Sequence, residues 1–139
     1  MYKSKAQELS YLSRKFAIGK NKEAWLDLFA EDAIVQDPVG VSPLDEAGNG
    51  HIGKEAIAAF YDMTIANSNI TFDIKESIPC GDECANFVEI SNEINGAIIA
   101  TKMIVIYRVN SDDKIVSLRA FWEYKELESQ LAKLLSVGD

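Results

Sequence analysis

Histidine and cysteine are nearly missing from this sequence: His51 stands alone, and the two cysteines, Cys80 and Cys84, flank Gly-Asp-Glu in PCGDEC. A Cys/His zinc site draws four ligands of this kind, so the chain cannot complete one. PCGDEC reads as a turn between strands, with a cross-turn disulfide or a metal half-site as the lesser alternative. Positive charge is also scarce. Lys and Arg number 14 against 22 Asp and Glu, a formal net charge of −8, and the basic residues are scattered among acids. No basic stripe forms, which argues against nucleic acid and anionic membrane surfaces as partners. No apolar run approaches the roughly 20 residues of a membrane-spanning helix. MYKSKAQELSYLSRKF lacks the apolar stretch of a secretory signal, so the expectation is a cytoplasmic protein with reduced thiols. The Asn69-Ile70-Thr71 sequon is then uninformative. Repeats, linkers and low-complexity tracts are missing too. With 139 residues and 47% hydrophobic side chains, the chain reads as a single domain, 1–139, around one core.

What is present divides into two halves. Residues 4 to 18 carry Leu9, Leu12, Phe16 and Ala17 on one helical stripe, with Ser13 inside it. Gly19 and Asn21 supply a stop and a restart, and a second helix over about 21–30 buries Trp25, Leu28 and Phe29. A short strand and the irregular VSPLDEAGNG loop follow. A third helix from His51 to about Asn67 gathers Ile57, Phe60, Tyr61 and Ile65. The second half alternates like a sheet: Ile70, Phe72, Ile74, then Val88, Ile90, Asn92, Ile94. Asn95-Gly96 is a strong hairpin signal, because both central residues of a type I′ turn need positive φ. AIIATKMIVIYRV is apolar on both faces, as a strand covered on two sides would be. KIVSLRAFWEY gives a further strand, and ELESQLAKLL an amphipathic tail. Three N-terminal helices packed on the concave face of a curved, mainly antiparallel sheet make an α+β roll. Such a roll leaves room for an apolar pocket between its layers. The twice-apolar strand predicts a second copy packed on its outer face through Ile104 and Ile106, giving a homodimer.

The most informative stretch is FAEDAIVQDPVG. Side chains alternate along a strand, so Ala33, Val35 and Asp37 share one face. Pro38 fixes its own φ and biases Asp37 toward an extended backbone. If Ala33 and Val35 face an interior, Asp37 is a carboxylate at a cavity wall. The plainer reading is a turn starter, since Asp-Pro commonly begins turns.

With LFAEDAIVQDPVG, GKEAIAAFY and KIVSLRAFW in this order, nearly the whole chain resembles Δ5-3-ketosteroid isomerase, of the nuclear transport factor two-like superfamily (SnoaL-like proteins among them). That family is a cone-shaped α+β fold working without a cofactor. The resemblance implies that Asp37 occupies the position of the catalytic base, that Phe29 and Trp122 line the pocket, and that Tyr61 supports an oxyanion hole. It also implies that the stripes Val88, Asn92 and Thr101, Met103, Val105 face the cavity together with Phe60. The implied partner is a small hydrophobic carbonyl compound, steroid- or polyketide-like. A binding or dimerisation module of the same fold is the alternative.

Two departures stand out. The family's base works with a tyrosine and a protonated aspartic acid that donate to the dienolate oxygen. Those two positions fall on Ser13 and Val105. Tyr11 does not replace the first, because two residues along a helix are about 200° apart around its axis. One such donor is worth roughly 10²–10³ in rate. The base and the pocket are therefore expected without the family's usual electrophile. Tyr61 is a candidate donor in its place, with an interfacial tyrosine as the plain alternative. Asn92 and Thr101 either orient a polar ligand end or sit at a wet mouth. Phe29, Phe60, Met103 and Trp122 read as core or pocket lining. His51 is expected as a solvated residue at a helix start, and Glu89 on the outer face.

Overall fold

The computed structural model describes residues 1–94 and 96–137, with side chains as far as Leu134. The first helix, α1, runs Lys5–Ile18, and Ser4 caps it by accepting a hydrogen bond from the Gln7 N–H. Asn21 caps α2, Lys22–Asp27, in the same way through the Ala24 N–H. The second helix stops short of the expected residue 30 because Phe29 already pairs with Ile115 in the sheet. Strand β1, Phe29–Gln36, follows at once.

His51 does not open the third helix. His51–Ile52 form a two-residue strand, β2, opposite Val35 and Ile34 of β1. Gly53, at φ +87°, then breaks the extended backbone and gives its N–H to Ala33 O, and α3 spans Lys54–Met63. The Ile65–Asn67 end of the expected helix is a separate 3₁₀ turn.

Four long strands complete the sheet: β3 Ile70–Cys80, β4 Glu83–Ile94, β5 Ala97–Val109 and β6 Ile115–Phe121. Ile94 and Ala97 are paired, as a two-residue turn requires, and Gly96 has φ +83°; Asn95, the other half of the expected Asn-Gly signal, lies outside the described residues. The strand order is β2-β1-β6-β5-β4-β3. Among the described residues the β1–β6 pair alone is parallel, the rest antiparallel. Register shifts between Ile74 and Glu76 in β3 and between Arg108 and Val109 in β5 bend the sheet. The tail forms α4, Tyr124–Val137. No described helix is long and apolar enough to cross a membrane.

The curved sheet closes around the helices, with Leu9, Trp25, Phe29, Ile57 and Val88 among the buried core. A buried polar chain fastens α1 to the sheet: Asn86 Nδ2 donates to Ser10 Oγ at 2.9 Å, Ser10 Oγ to Gln7 O at 2.7 Å, and Gln7 Nε2 to Ser77 Oγ at 3.1 Å. Because each group is partnered, the chain fixes the helix without an unpaired polar atom. Cys80 and Cys84 are free; Cys84, opposite Pro79, is buried, and Cys80, one residue on, is exposed on the other face.

The loop before β2 is ordered by one carboxylate. Asp45 accepts from the N–H groups of Gly48 at 3.1 Å and Gly50 at 2.8 Å. Gly50 sits at φ +87°, and a Cβ there would meet Ile34 Cγ2 at 2.7 Å. Gly50→Ala is therefore expected to destabilise the fold by about 1–3 kcal/mol, through positive-φ strain and the clash together. A lowered urea midpoint at unchanged m-value checks it; an unchanged midpoint contradicts it.

Candidate functional site

Asp37 follows β1 on the side where Ala33 and Val35 are fully buried, as two-residue alternation requires. The Asp37–Pro38 peptide is cis, and Val39 N–H donates to Ala120 O at 2.9 Å, which pins this segment to the end of β6. Just beyond β6, Trp122 turns its indole inward, and Nε1–H donates to Asp37 Oδ1 at 2.6 Å. Burial pushes the Asp37 carboxyl above its ordinary range; the Trp122 hydrogen bond and the positive influence of His51 pull it part of the way back. The result is a held carboxylate with enhanced basicity at the wall of a cavity.

That cavity has two chambers. The outer one, about 290 Å³, is bounded by Asp37, Phe60, Thr101, Met103, Trp122 and Tyr124 among others, with Asn92, Thr64 and Ser68 as polar points. The inner one, about 80 Å³, shares Asp37, Phe60 and Met103 and ends at Ser13, Val105 and Tyr107. Together they reach the lower end of the roughly 300–1,000 Å³ common for small-molecule sites. Helix α4 contributes Tyr124 and Leu127 to the outer chamber, and the rings of Trp122 and Tyr124 lie 5.9 Å apart between it and an outer groove.

Polarity at the inner end is concentrated on one oxygen. Trp25 Nε1–H donates to Ser13 Oγ at 3.1 Å and Tyr107 Oη–H donates to the same atom at 3.3 Å. All three side chains are buried. Tyr107 is pushed up to about 12, by burial first and against the lowering effect of the Ser13 bond, with the charge of Asp37 adding to the rise. It stays a neutral phenol across the physiological range.

The structure gathers Asp37, Ser13, Phe60, Asn92, Thr101, Met103, Val105 and Trp122 around these chambers. It does not bring Phe29, Val88 or Tyr61 there. Phe29 and Val88 are buried in the core outside both linings, and Phe29 packs on Trp25 at 4.7 Å. Tyr61 also packs on Trp25, at 5.5 Å, and the charges acting on its hydroxyl are those of Asp62 and Lys22, on the helix side away from the cavity. The phenol at the inner end belongs to Tyr107 instead. The period of two that selects Thr101, Met103 and Val105 continues to Tyr107, so the signal was present in the strand.

His51 departs from a solvated helix start as well. It is half-buried, faces the same side as Val35, stacks against Phe60 at 4.8 Å, and its Nε2 is buried with no partner among the described residues. Asn92 accepts from Asn69 N–H at 3.2 Å at the rim, and Glu89, on the outer face, lies 3.8 Å from Lys75. Among the described residues no group of His, Cys, Asp and Glu is arranged to hold a metal ion.

The SnoaL-like domain family matches residues 16–118. Among solved structures, RV0760c from Mycobacterium tuberculosis is 31% identical over 91% of this chain and 96% of its own, with a TM-score of 0.85. The same protein in complex with estradiol-17beta-hemisuccinate gives 31% identity over 89% and 98%, with a TM-score of 0.83. The Delta 5-3-ketosteroid isomerase from Mycobacterium sp. is 28% identical over 88% of this chain and 96% of its own, with a TM-score of 0.82. A computationally designed 17-OHP binder is similar at 31% identity over 87% and 93%, with a TM-score of 0.81.

The raised pKa of Asp37 has a consequence for stability. Between the unfolded value near 3.8 and the higher folded value, the folded state binds more protons, so this group's contribution falls as pH rises through that window. Asp37→Asn removes the buried charge and leaves a side-chain oxygen for the Trp122 N–H. The variant is expected to melt above the wild type at pH 7, and the gap to shrink as pH falls below the folded value. Thermal melts across pH 3–8 check the sign; a variant less stable at pH 7 contradicts it.

Proposed function

The chain belongs to the SnoaL-like domain family, and on that premise we propose that its chamber binds a small hydrophobic carbonyl compound on which Asp37 moves a proton without a cofactor. The observation that carries this reading is the half-buried Asp37 carboxylate, oriented by Trp122 at 2.6 Å in the wall of an apolar cavity. The similarity to a ketosteroid isomerase and to a protein complexed with estradiol-17beta-hemisuccinate supports a steroid- or polyketide-like ligand class.

In this reading the Asp37 carboxylate removes a proton from a carbon next to the carbonyl. The C–H electron pair moves into a new C=C bond, and charge collects on the oxygen. The carboxylic acid so formed returns the proton to a different carbon, and the double bond has moved. Burial helps twice: it raises the basicity of Asp37, and it excludes water that would otherwise quench the transfer. Trp122 N–H keeps one carboxylate oxygen occupied, so the other faces the ligand.

Val105 tempers the rate. It stands buried at the inner end where the related isomerases place an acid, and one lost donor costs roughly 10²–10³ in rate. This observation favours, as the second reading, a protein that holds such a ligand without converting it. Following enone absorbance from androst-5-ene-3,17-dione separates the two. Wild type is expected to turn over slowly, and Asp37→Asn to lose turnover while binding the product with similar affinity. Equal rates for both proteins would remove Asp37 from the chemistry.

For the outer face of the sheet we propose a second copy of this chain. Ile104 and Phe121 are cross-strand partners there, 41% and 40% exposed. Phe87 pairs with Ile104 from β4 and continues the apolar strip. Ile104→Lys is expected to convert a dimer to a monomer in sedimentation equilibrium; a monomeric wild type at tens of micromolar contradicts the assignment.

A further inference from the structure

Lys20 stands in a backbone conformation that a lysine adopts at a cost. Helix α1 ends in a Schellman turn, with Asn21 N–H donating to Phe16 O at 3.0 Å and Lys20 N–H to Ala17 O at 3.3 Å. This turn sets Lys20 in the left-handed region, at φ +56°, a position most often held by glycine. The glycine of the sequence stands one residue earlier, at Gly19, where φ is −77° and any residue would fit the backbone. A lysine held at position 20 therefore costs free energy that a glycine would not, and the reason for it lies in the side chain.

That side chain is exposed, yet its ammonium is drawn onto one short segment. Lys20 Nζ donates to Ile65 O at 2.6 Å, to Ser68 Oγ at 3.2 Å, and to Ser68 O. An ammonium has three N–H donors, and three oxygens of a single turn surround it. The turn is the 3₁₀ segment Ile65–Asn67 that follows α3. Carbonyls at the end of a helical run lack partners within it and carry the negative end of its dipole. Neither α3 nor the 3₁₀ turn has a basic residue in its own last turn, so Lys20 brings the charge from the connection between α1 and α2. The other hydrogen bonds here are local. Ser68 N–H and Oγ–H return to Ile65 O at 3.2 and 2.8 Å, and Asn67 Nδ2 donates to Asp62 O at 3.1 Å. Among the described residues, Lys20 is the group that ties this turn by hydrogen bonds to a distant part of the chain. The turn is also cavity wall: Thr64, Ile65 and Ser68 line the outer chamber, and Ile65 borders the inner one as well.

Resting on the reading of the chamber as a ligand site, we propose that Lys20 is a positioning residue, whose ammonium holds the Ile65–Ser68 turn as a fixed wall for the ligand to pack against. Lys20 lines neither chamber and acts through Ile65 and Ser68. A three-residue 3₁₀ turn has little stability of its own. With the ammonium in place, the turn is ordered before the ligand arrives, and binding does not bear that cost. Without it the wall opens more often, and a bound molecule leaves sooner.

The test compares wild type with Lys20→Gly, Lys20→Met and Lys20→Arg. Glycine suits the left-handed backbone better than lysine does, so Lys20→Gly removes the ammonium without straining the turn. Methionine keeps the reach without the charge, and arginine keeps charge and donors. In the ligand-free proteins, hydrogen exchange at the Ser68 amide is expected to quicken roughly 10-fold in Lys20→Gly and Lys20→Met, the scale of one charge-assisted hydrogen bond, and much less in Lys20→Arg. Dissociation of androst-4-ene-3,17-dione, followed by stopped-flow tryptophan fluorescence, is expected to quicken roughly 3-fold or more in the same two variants and to be restored in Lys20→Arg. Unchanged Ser68 exchange in Lys20→Gly overturns the hold of Lys20 on the turn. Faster exchange with unchanged dissociation overturns its role toward the ligand and leaves the chamber a ligand site. Failure of the wild type to bind the probe overturns the ligand-site reading and this inference with it. Should Lys20→Met fail to fold, Lys20→Gly and Lys20→Arg decide by the same readings.

Discussion

A carboxylate brought next to an apolar cavity loses hydration, and something must hold it there. In this chain that is the indole N–H of Trp122, 2.6 Å from Asp37 Oδ1. The contact joins the ends of two parallel neighbours, β1 and β6, which meet only because the sheet order places the first strand beside the last. The Val39–Ala120 hydrogen bond ties the two ends together. The remaining architecture serves this arrangement. Helices α1 and α3 roof the sheet, the register shifts in β3 and β5 curve it, and α4 borders the outer chamber.

The cavity is polar at few points, and the points have different jobs. Asp37 borders both chambers. Trp25 and Tyr107 converge on Ser13 Oγ at the narrow end, and Asn92, Thr101 and Ser68 lie on the wide side. Between these points the lining is apolar. A fully polar metabolite would leave the intervening Ile65, Ile70, Ile90 and Met103 surface unused.

Much of this was legible in the sequence, for reasons that differ by element. Asp37 was readable because strand alternation is strict: two buried residues at 33 and 35 decide where 37 points. The α+β pattern followed from helices preceding long alternating strands, and the cone shape from the family resemblance. His51 was misread because β2 has two residues, too few for a period, and the glycine that ends it looks like an ordinary helix start. Tyr61 was misplaced because a helix position near one apolar side does not say which neighbour the hydroxyl meets. Packing against Trp25 decides that. The Ser13 network was out of reach for a related reason: its three members come from α1, α2 and β5, and only the folded chain brings them onto one oxygen.

The central claim is that burial makes Asp37 a stronger base than a solvated carboxylate while Trp122 keeps it oriented. The most direct measurement is an NMR titration of the Asp37 side-chain carboxyl carbon in the ligand-free protein. The account requires an inflection clearly above the ordinary value of 3.8, and an indole N–H resonance of Trp122 that titrates with it. An inflection at or below 3.8, with Trp122 indifferent to pH, would mean that the carboxylate is solvated and that the site lacks its base.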